Sequence, residues 1–221
     1  MAFVYKQQLK PKQPVINVNV YYLLPPHYKA RNTLPPRASI MTSEQTMISR
    51  EIASFKASKI VGLIADTHVP ARAKCIPKAV FKIFENADFI VHAGDLVKLA
   101  VIDELEQLAP VLAVHGNMDG PEVSGALPKL NSLKIFGWKI GVMHNPRALF
   151  GMGKMREIAK QNGFNVFVYG HTHNSSIKWE GKTLYINPGS PTNPLPSFVV
   201  KPSVALLKVT KEDITPEIIH I

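Results

Sequence analysis

Seven residues of this chain offer side chains that bind metal ions, and all seven stand where short apolar runs stop. They are Asp66, His68, Asp95, Asn117, His144, His171 and His173. The densest stretch is Gly170-His171-Thr172-His173, at the end of the apolar run from Val166 to Tyr169. On an extended chain successive side chains point to opposite sides, so two histidines one residue apart point the same way. That spacing suits imidazole ligation of a metal. Asp66-Thr67-His68 repeats it with a carboxylate and an imidazole. Any single pair reads equally well as a polar turn with surface histidines. Seven nitrogen and oxygen donors with one shared carboxylate suit two divalent cations, and a two-metal site is built for in-line displacement at phosphorus.

These donors need a scaffold that brings distant strand ends together. Lys59 to Ala65 has the length and apolarity of a strand buried on both faces. Pro77 to Phe84 follows as a helix with proline in its first turn. Asp88 to Ala93 is a second buried strand, ending at Gly94-Asp95. Leu96 to Leu108 reads as a helix with Leu99, Ile102, Leu105 and Leu108 on one stripe. Val111 to Val114 is a third strand, running into His115-Gly116-Asn117-Met118-Asp119-Gly120. This alternation predicts parallel α/β structure, in which ligands bind beyond the carboxyl ends of the strands. Leu133 to Phe136 and Lys139 to Met143 form a hairpin whose second strand delivers His144. Met152 to Gln161 is a helix closed by Gly163. Ser175 to Glu180 pairs with Lys182 to Ile186, which leads into the turn Asn187-Pro188-Gly189-Ser190. Ser203 to Val209 and Ile214 to Ile219 are closing strands.

Residues 1–58 differ from the rest. Pro11, Pro14, Pro25, Pro26, Pro35 and Pro36 break every candidate helix in the first forty positions. Only Val15 to Leu24 has strand character, and Ser49 to Ala57 reads as a short lead-in helix. The segment is expected to be a disordered or weakly structured basic extension, or the product of an upstream start with Met41 or Met47 as the first residue. It carries seven Lys/Arg and one acid among residues 1–50, so +6 of the formal +10 resides there. Residues 59–221 form the expected domain. With 19 Lys/Arg against 15 acids in residues 51–221, nucleic acid is not indicated as a partner of that domain. No apolar run approaches the roughly 18 residues of a membrane span. Cys75 is the sole cysteine, so no intrachain disulfide forms, which fits a reducing compartment.

The order Asp66-x-His68, Gly94-Asp95, Gly116-Asn117-x-Asp119, His144, Gly170-His171-Thr172-His173 resembles the calcineurin-like metallophosphoesterase superfamily. Its spacing, the Asn187-Pro188-Gly189-Ser190 turn and the small domain resemble the compact YfcE-like phosphodiesterase branch. The resemblance implies a four-layer α/β-β/α sandwich of two mixed sheets flanked by helices. It implies that Asp66, His68 and His173 hold one metal, that Asn117, His144 and His171 hold the other, and that Asp95 bridges them. A shared hydroxide would attack phosphorus. Manganese is the ion expected first, with iron, zinc, nickel, cobalt or magnesium also suited to such donors. The expected activity is a cytoplasmic phosphodiesterase acting on small phosphodiesters or cyclic nucleotides, with a homo-oligomer left open. A phosphomonoesterase, a nuclease and a protein-binding scaffold like the retromer subunit are the alternatives.

One departure concerns leaving-group protonation. Many relatives place a histidine after the asparagine, where this chain has Met118, which carries no proton to donate. His115 is the candidate substitute, and a hydrogen-bonded structural histidine is the other reading of it. Asp119 is expected to brace the Asn117 turn, Ser190 to support the site, and His92 to lie in the core or behind the ligands. Arg147 reads as a phosphate contact or a solvated arginine, and Gly151 and Gly153 as hinge residues of its loop.

Overall fold

The computed structural model describes residues 58–145 and 152–221. The N-terminal extension lies outside the described residues, with its expected strand and lead-in helix, as do Arg147 and Gly151.

Two five-stranded mixed sheets stack face to face. The first is built on β1 (Ser58–Ile64), β2 (Phe89–His92) and β3 (Val111–Ala113), which run parallel. Between them run α1 (Lys78–Ile83) and α2 (Ala100–Glu106), and α3 (Pro121–Ala126) follows β3. The second sheet contains β4 (Leu130–Ile135), β5 (Trp138–Met143), β6 (Val166–Tyr169), β7 (Ser176–Glu180) and β8 (Thr183–Asn187), with α4 (Gly153–Asn162) crossing from β5 to β6. The chain then returns to the first sheet. There β9 (Ser203–Thr210) pairs antiparallel with β1, and β10 (Ile214–His220) forms the outer edge. Pro216 is tolerated in β10 because an edge strand has one side without ladder bonds.

Strand alternation decides which layer each residue joins. Val61 and Leu63 of β1 pack between the sheets against Ile140 and Val142 of β5, Val166 and Val168 of β6, and Leu184 and Ile186 of β8. Ile64 and Ile90 instead face Val80, Phe84, Val101 and Leu105 on the helical side. On the far side, Phe167, Tyr169 and Tyr185 pack on Met155 and Ala159 of α4. The result is helices, sheet, sheet, helix. Each fully buried Val, Leu or Ile contributes about 1.5–3 kcal/mol, so the inter-sheet layer is the main adhesive.

Two details differ from the pattern in the sequence. The helix expected over 96–108 starts only at Ala100. Val97 adopts φ 77°, and its amide donates to Asp119 Oδ1 at 2.6 Å, so a tertiary contact holds this stretch off the helix. Helix α3 was not expected. It starts with Pro121 and buries only Val123, too little apolar surface for a periodic signal. No helix among the described residues is long and apolar enough to cross a membrane.

Candidate metal centre

β1, β2, β5 and β6 bring their carboxyl ends to one edge of the sandwich, and the chain there is pulled tight by backbone bonds. The Asp66 amide donates to Gly94 O, that of His68 to Asp95 O, and that of Gly170 to His144 O, each at 3.0 Å. Asp66, His68, Asp95 and His173 form one group, with one ligand atom from each lying within 4.8 Å of the others. All four are buried. Beside them lies a second group. His144 Nε2 is 3.0 Å from Asn117 Oδ1 and 3.3 Å from Asp95 Oδ2, and the His144 and His171 rings meet edge to face at 5.3 Å. Asp95 Oδ2 also lies 3.8 Å from His68 Nε2, so this single oxygen faces both groups.

Asp66, His68, Asp95, His171 and His173 all adopt positive φ, between 47° and 72°. Their side chains converge through successive left-handed turns, not through the pleat of an extended strand. Such residues cost of order 1–3 kcal/mol each and persist only where the surroundings over-determine them. Here the determinants are visible. The His171 amide donates to Asp66 Oδ2 at 2.9 Å, and Asp119 accepts from the amides of Asp95, Val97 and Gly116. Ser190 Oγ donates to Asp66 O at 2.7 Å, and Asn187 Nδ2 to Gly170 O at 3.0 Å. His92, buried behind the site, lies 3.1 Å from Thr67 Oγ1 and accepts from the Gly94 amide. Two glycines make the approach physically feasible. A Cβ on Gly116 would sit 2.1 Å from Asp95 Oδ1, and one on Gly170 would sit 2.8 Å from Asp66 Oδ2.

Burial sets unusual protonation. Desolvation, reinforced by the Asp95 charge, pushes the Asp66 carboxyl up to about 7. Desolvation lowers His68 to about 4 and lowers His171 and His173, favouring the neutral imidazole that ligates metals. Burial is the largest single influence on Asp95 and pushes it up, but the hydrogen bond and charge of His144, the Met118 amide and His68 together hold the carboxyl below its ordinary value.

Backbone carbonyls orient two imidazoles of the donor set. His173 Nδ1 faces the Asn193 carbonyl at 2.5 Å, so it carries the proton and leaves Nε2 as a lone pair. That lone pair faces His68 Nε2 at 3.2 Å and Asp66 Oδ1 at 3.3 Å. His144 Nδ1 likewise faces Ala93 O at 2.8 Å, turning its Nε2 toward two oxygens. His68 Nδ1 is buried without a partner among the described residues. A buried cluster of imidazole nitrogens and carboxylate oxygens fits cations, and the mixed N/O chemistry fits divalent ones.

The structure therefore brings together all seven residues read from the sequence. His115 Nδ1 lies 3.2 Å from Gly116 O. Thr192 was missed by sequence reading. Its Oγ1 donates to Thr67 O at 2.8 Å, tying the loop after β8 to the loop after β1, and a threonine in a proline-rich stretch gives no signal of that.

Comparison with known proteins bears on this arrangement. Residues 60–212 match the calcineurin-like phosphoesterase superfamily domain. A probable metallophosphoesterase of Methanothermobacter thermautotrophicus is 38% identical over 167 residues, covering 73% of this chain and 92% of the relative. A phosphodiesterase of Methanocaldococcus jannaschii is 31% identical over 163 residues, covering 69% of this chain and 95% of the relative. Among solved structures, vacuolar protein sorting 29 of Cryptosporidium parvum superposes with TM-score 0.63 at 20% identity, covering 75% of this chain and 100% of that one.

Proposed function

Because the chain belongs to the calcineurin-like phosphoesterase superfamily, we propose that it is a metal-dependent phosphodiesterase that hydrolyses small phosphodiesters or cyclic nucleotides at a dinuclear centre. The observation that carries this reading is Asp95 Oδ2, placed 3.8 Å from His68 Nε2 and 3.3 Å from His144 Nε2. Asp66, His68 and His173 would hold one ion, Asn117, His144 and His171 the other, and Asp95 would serve both. Bound divalent ions supply Lewis-acid stabilisation of the charge that develops at phosphorus. Manganese is the preferred ion and the cytoplasm the setting.

The chain's own residues do the positioning. The Met118 amide donates to Asp95 Oδ1 at 2.7 Å, which leaves Oδ2 for the centre. Ala93 O and Asn193 O fix the tautomers of His144 and His173. Met118 supplies no proton to a leaving group, which favours substrates whose leaving groups depart as stable anions. The full set of donors favours catalysis over a scaffold role on the same fold.

The test is hydrolysis of a nitrophenyl phosphodiester and the matching monoester by metal-stripped protein given Mn²⁺, Ni²⁺, Zn²⁺ or Mg²⁺ singly. Metal-dependent diester cleavage is expected, falling by about 10³-fold or more in Asp95→Asn as charge stabilisation is lost. Preference for the monoester would replace the reading by a phosphatase. Absence of turnover with every ion would refute an enzymatic role.

A further inference from the structure

The sandwich is open along one edge. β10 lies against β7 and β3 against β4, so the two sheets run in step from side to side. At the β3–β4 side the inter-sheet layer is closed, with Leu112, Leu133 and Ile135 buried. At the β7–β10 side Ile177 and Trp179 are 40% and 50% exposed. Register shows which way they point. Ile177 pairs with Ile186 and Trp179 with Leu184, and directly paired residues share a face, so both prolong the inter-sheet layer. Ser176, Lys178 and Glu180 take the other face, where Ser176 Oγ lies 2.9 Å from Tyr169 OH and Glu180 holds Arg156. β7 thus has an apolar face, a polar face and one side unpaired among the described residues. Pro216 interrupts the other edge, β10, whereas β7 contains no proline.

The N-terminal extension contains the complementary pattern. Within Val15 to Leu24, Ile16, Val18, Val20 and Tyr22 alternate with Asn17 and Asn19. At the two-residue period of a strand, one side is an apolar row and the other carries both asparagines. Residues 25–57 join this stretch to β1. Fully extended, such a linker spans roughly 100 Å. The place beside β7 is three strand spacings and one sheet spacing from β1, roughly 20 Å. We propose that Val15 to Leu24 adds to β7 as the outermost strand of the second sheet. Ile16, Val18, Val20 and Tyr22 then cover Ile177 and Trp179 and close the layer against β10, while Asn17 and Asn19 continue the polar face of Ser176, Lys178 and Glu180. Main-chain bonds to the open edge hold the strand. A slip of one residue turns the asparagines onto Trp179, so the pattern sets the register. The added strand also removes an edge on which a second copy would otherwise pair.

The inference is independent of the phosphoesterase reading. Hydrogen exchange by mass spectrometry on the full chain tests it, with gel filtration over a range of protein concentrations. In wild type, residues 15–24 and 176–180 are expected to exchange slowly. Val18→Asp/Val20→Asp places two carboxylates in the covered layer and should speed exchange in both segments about 10- to 100-fold. Asn17→Ser/Asn19→Ser, on the solvent side, should change neither. Ile177→Ser/Trp179→Ser, which alters only the receiving edge, should release residues 15–24 in the same way. Exchange of residues 15–24 at the rate of an unstructured peptide in wild type overturns the inference. So does protection of residues 176–180 that Val18→Asp/Val20→Asp leaves unchanged. Protection that grows with protein concentration, together with dimers on gel filtration, assigns the edge to a second copy and also overturns it.

Discussion

The two halves of the constellation are built to different standards. Asp66, His68 and His173 are buried, with at most 5% of any residue exposed, and their loops are tied down by Ser190, Thr192 and Asn193. On the other side His144 is equally buried, but His171 is only half-buried and Asn117 is exposed. One half is assembled before any ion arrives. The other has an open face, as a site that must also admit substrate requires. The difference predicts one tightly held ion and one that exchanges more readily, with Asp95 coupling them.

His173→Ala tests this most severely. It removes a donor from the closed half and is expected to weaken the tighter ion by more than about 100-fold, while His171→Ala affects only the weaker one. Calorimetric titration of each variant with Mn²⁺ reads this out. Equal losses in both would erase the distinction between the halves. Asp119→Ala comes next, since it strips an acceptor from three amides that hold Asp95, Val97 and Gly116. Urea unfolding should show a loss of about 3 kcal/mol, and metal affinity should fall about 10- to 100-fold.

A pH series sharpens the comparison further. In the metal-free protein the folded Asp66 carboxyl titrates near 7, above its ordinary value of 3.8. The folded state thus keeps a proton that the unfolded chain has released, and that stability is present below about 3.8 and lost as pH rises through 7. Asp66→Asn, which keeps the shape without the charge, should therefore gain stability over metal-free wild type as pH rises from 4 to 7, by at most roughly 4 kcal/mol. Thermal melts across that range measure it, and Mn²⁺ should raise Tm more in wild type than in Asp66→Asn. Constant spacing between the two curves at every pH would show that Asp66 is not held protonated. The smallest effect is expected for His115→Ala, because its ring is engaged with Gly116 O. Rates with a poor leaving group should fall far less than the roughly 10²-fold a general acid supplies. A loss of that size, confined to poor leaving groups, would make His115 the acid.

Much of this was legible from residue types. Lys59 to Ala65 and Val166 to Tyr169 are continuous apolar runs because both faces of those strands are buried, and the donors are polar because they stand where burial stops. The first sheet's return through β9 and β10 was legible only as two strands, since nothing local records that β9 pairs with β1. The backbone of the site was not legible either. Five non-glycine ligands in left-handed conformation follow from tertiary bonds such as His171 N to Asp66 Oδ2, which no local pattern announces. The late start of α2 has the same origin, in Asp119 capturing the Val97 amide. Asp119 itself was recognised as a brace from its place in the turn, though not as the acceptor of three amides from two loops.

The most direct measurement is titration of metal-stripped wild-type protein with Mn²⁺ by calorimetry, checked by elemental analysis after gel filtration. Two ions per chain are predicted, binding in two steps with the first clearly tighter, and Asp95→Asn should disturb both steps. A single ion, or two of equal affinity indifferent to Asp95→Asn, would contradict a centre bridged by Asp95.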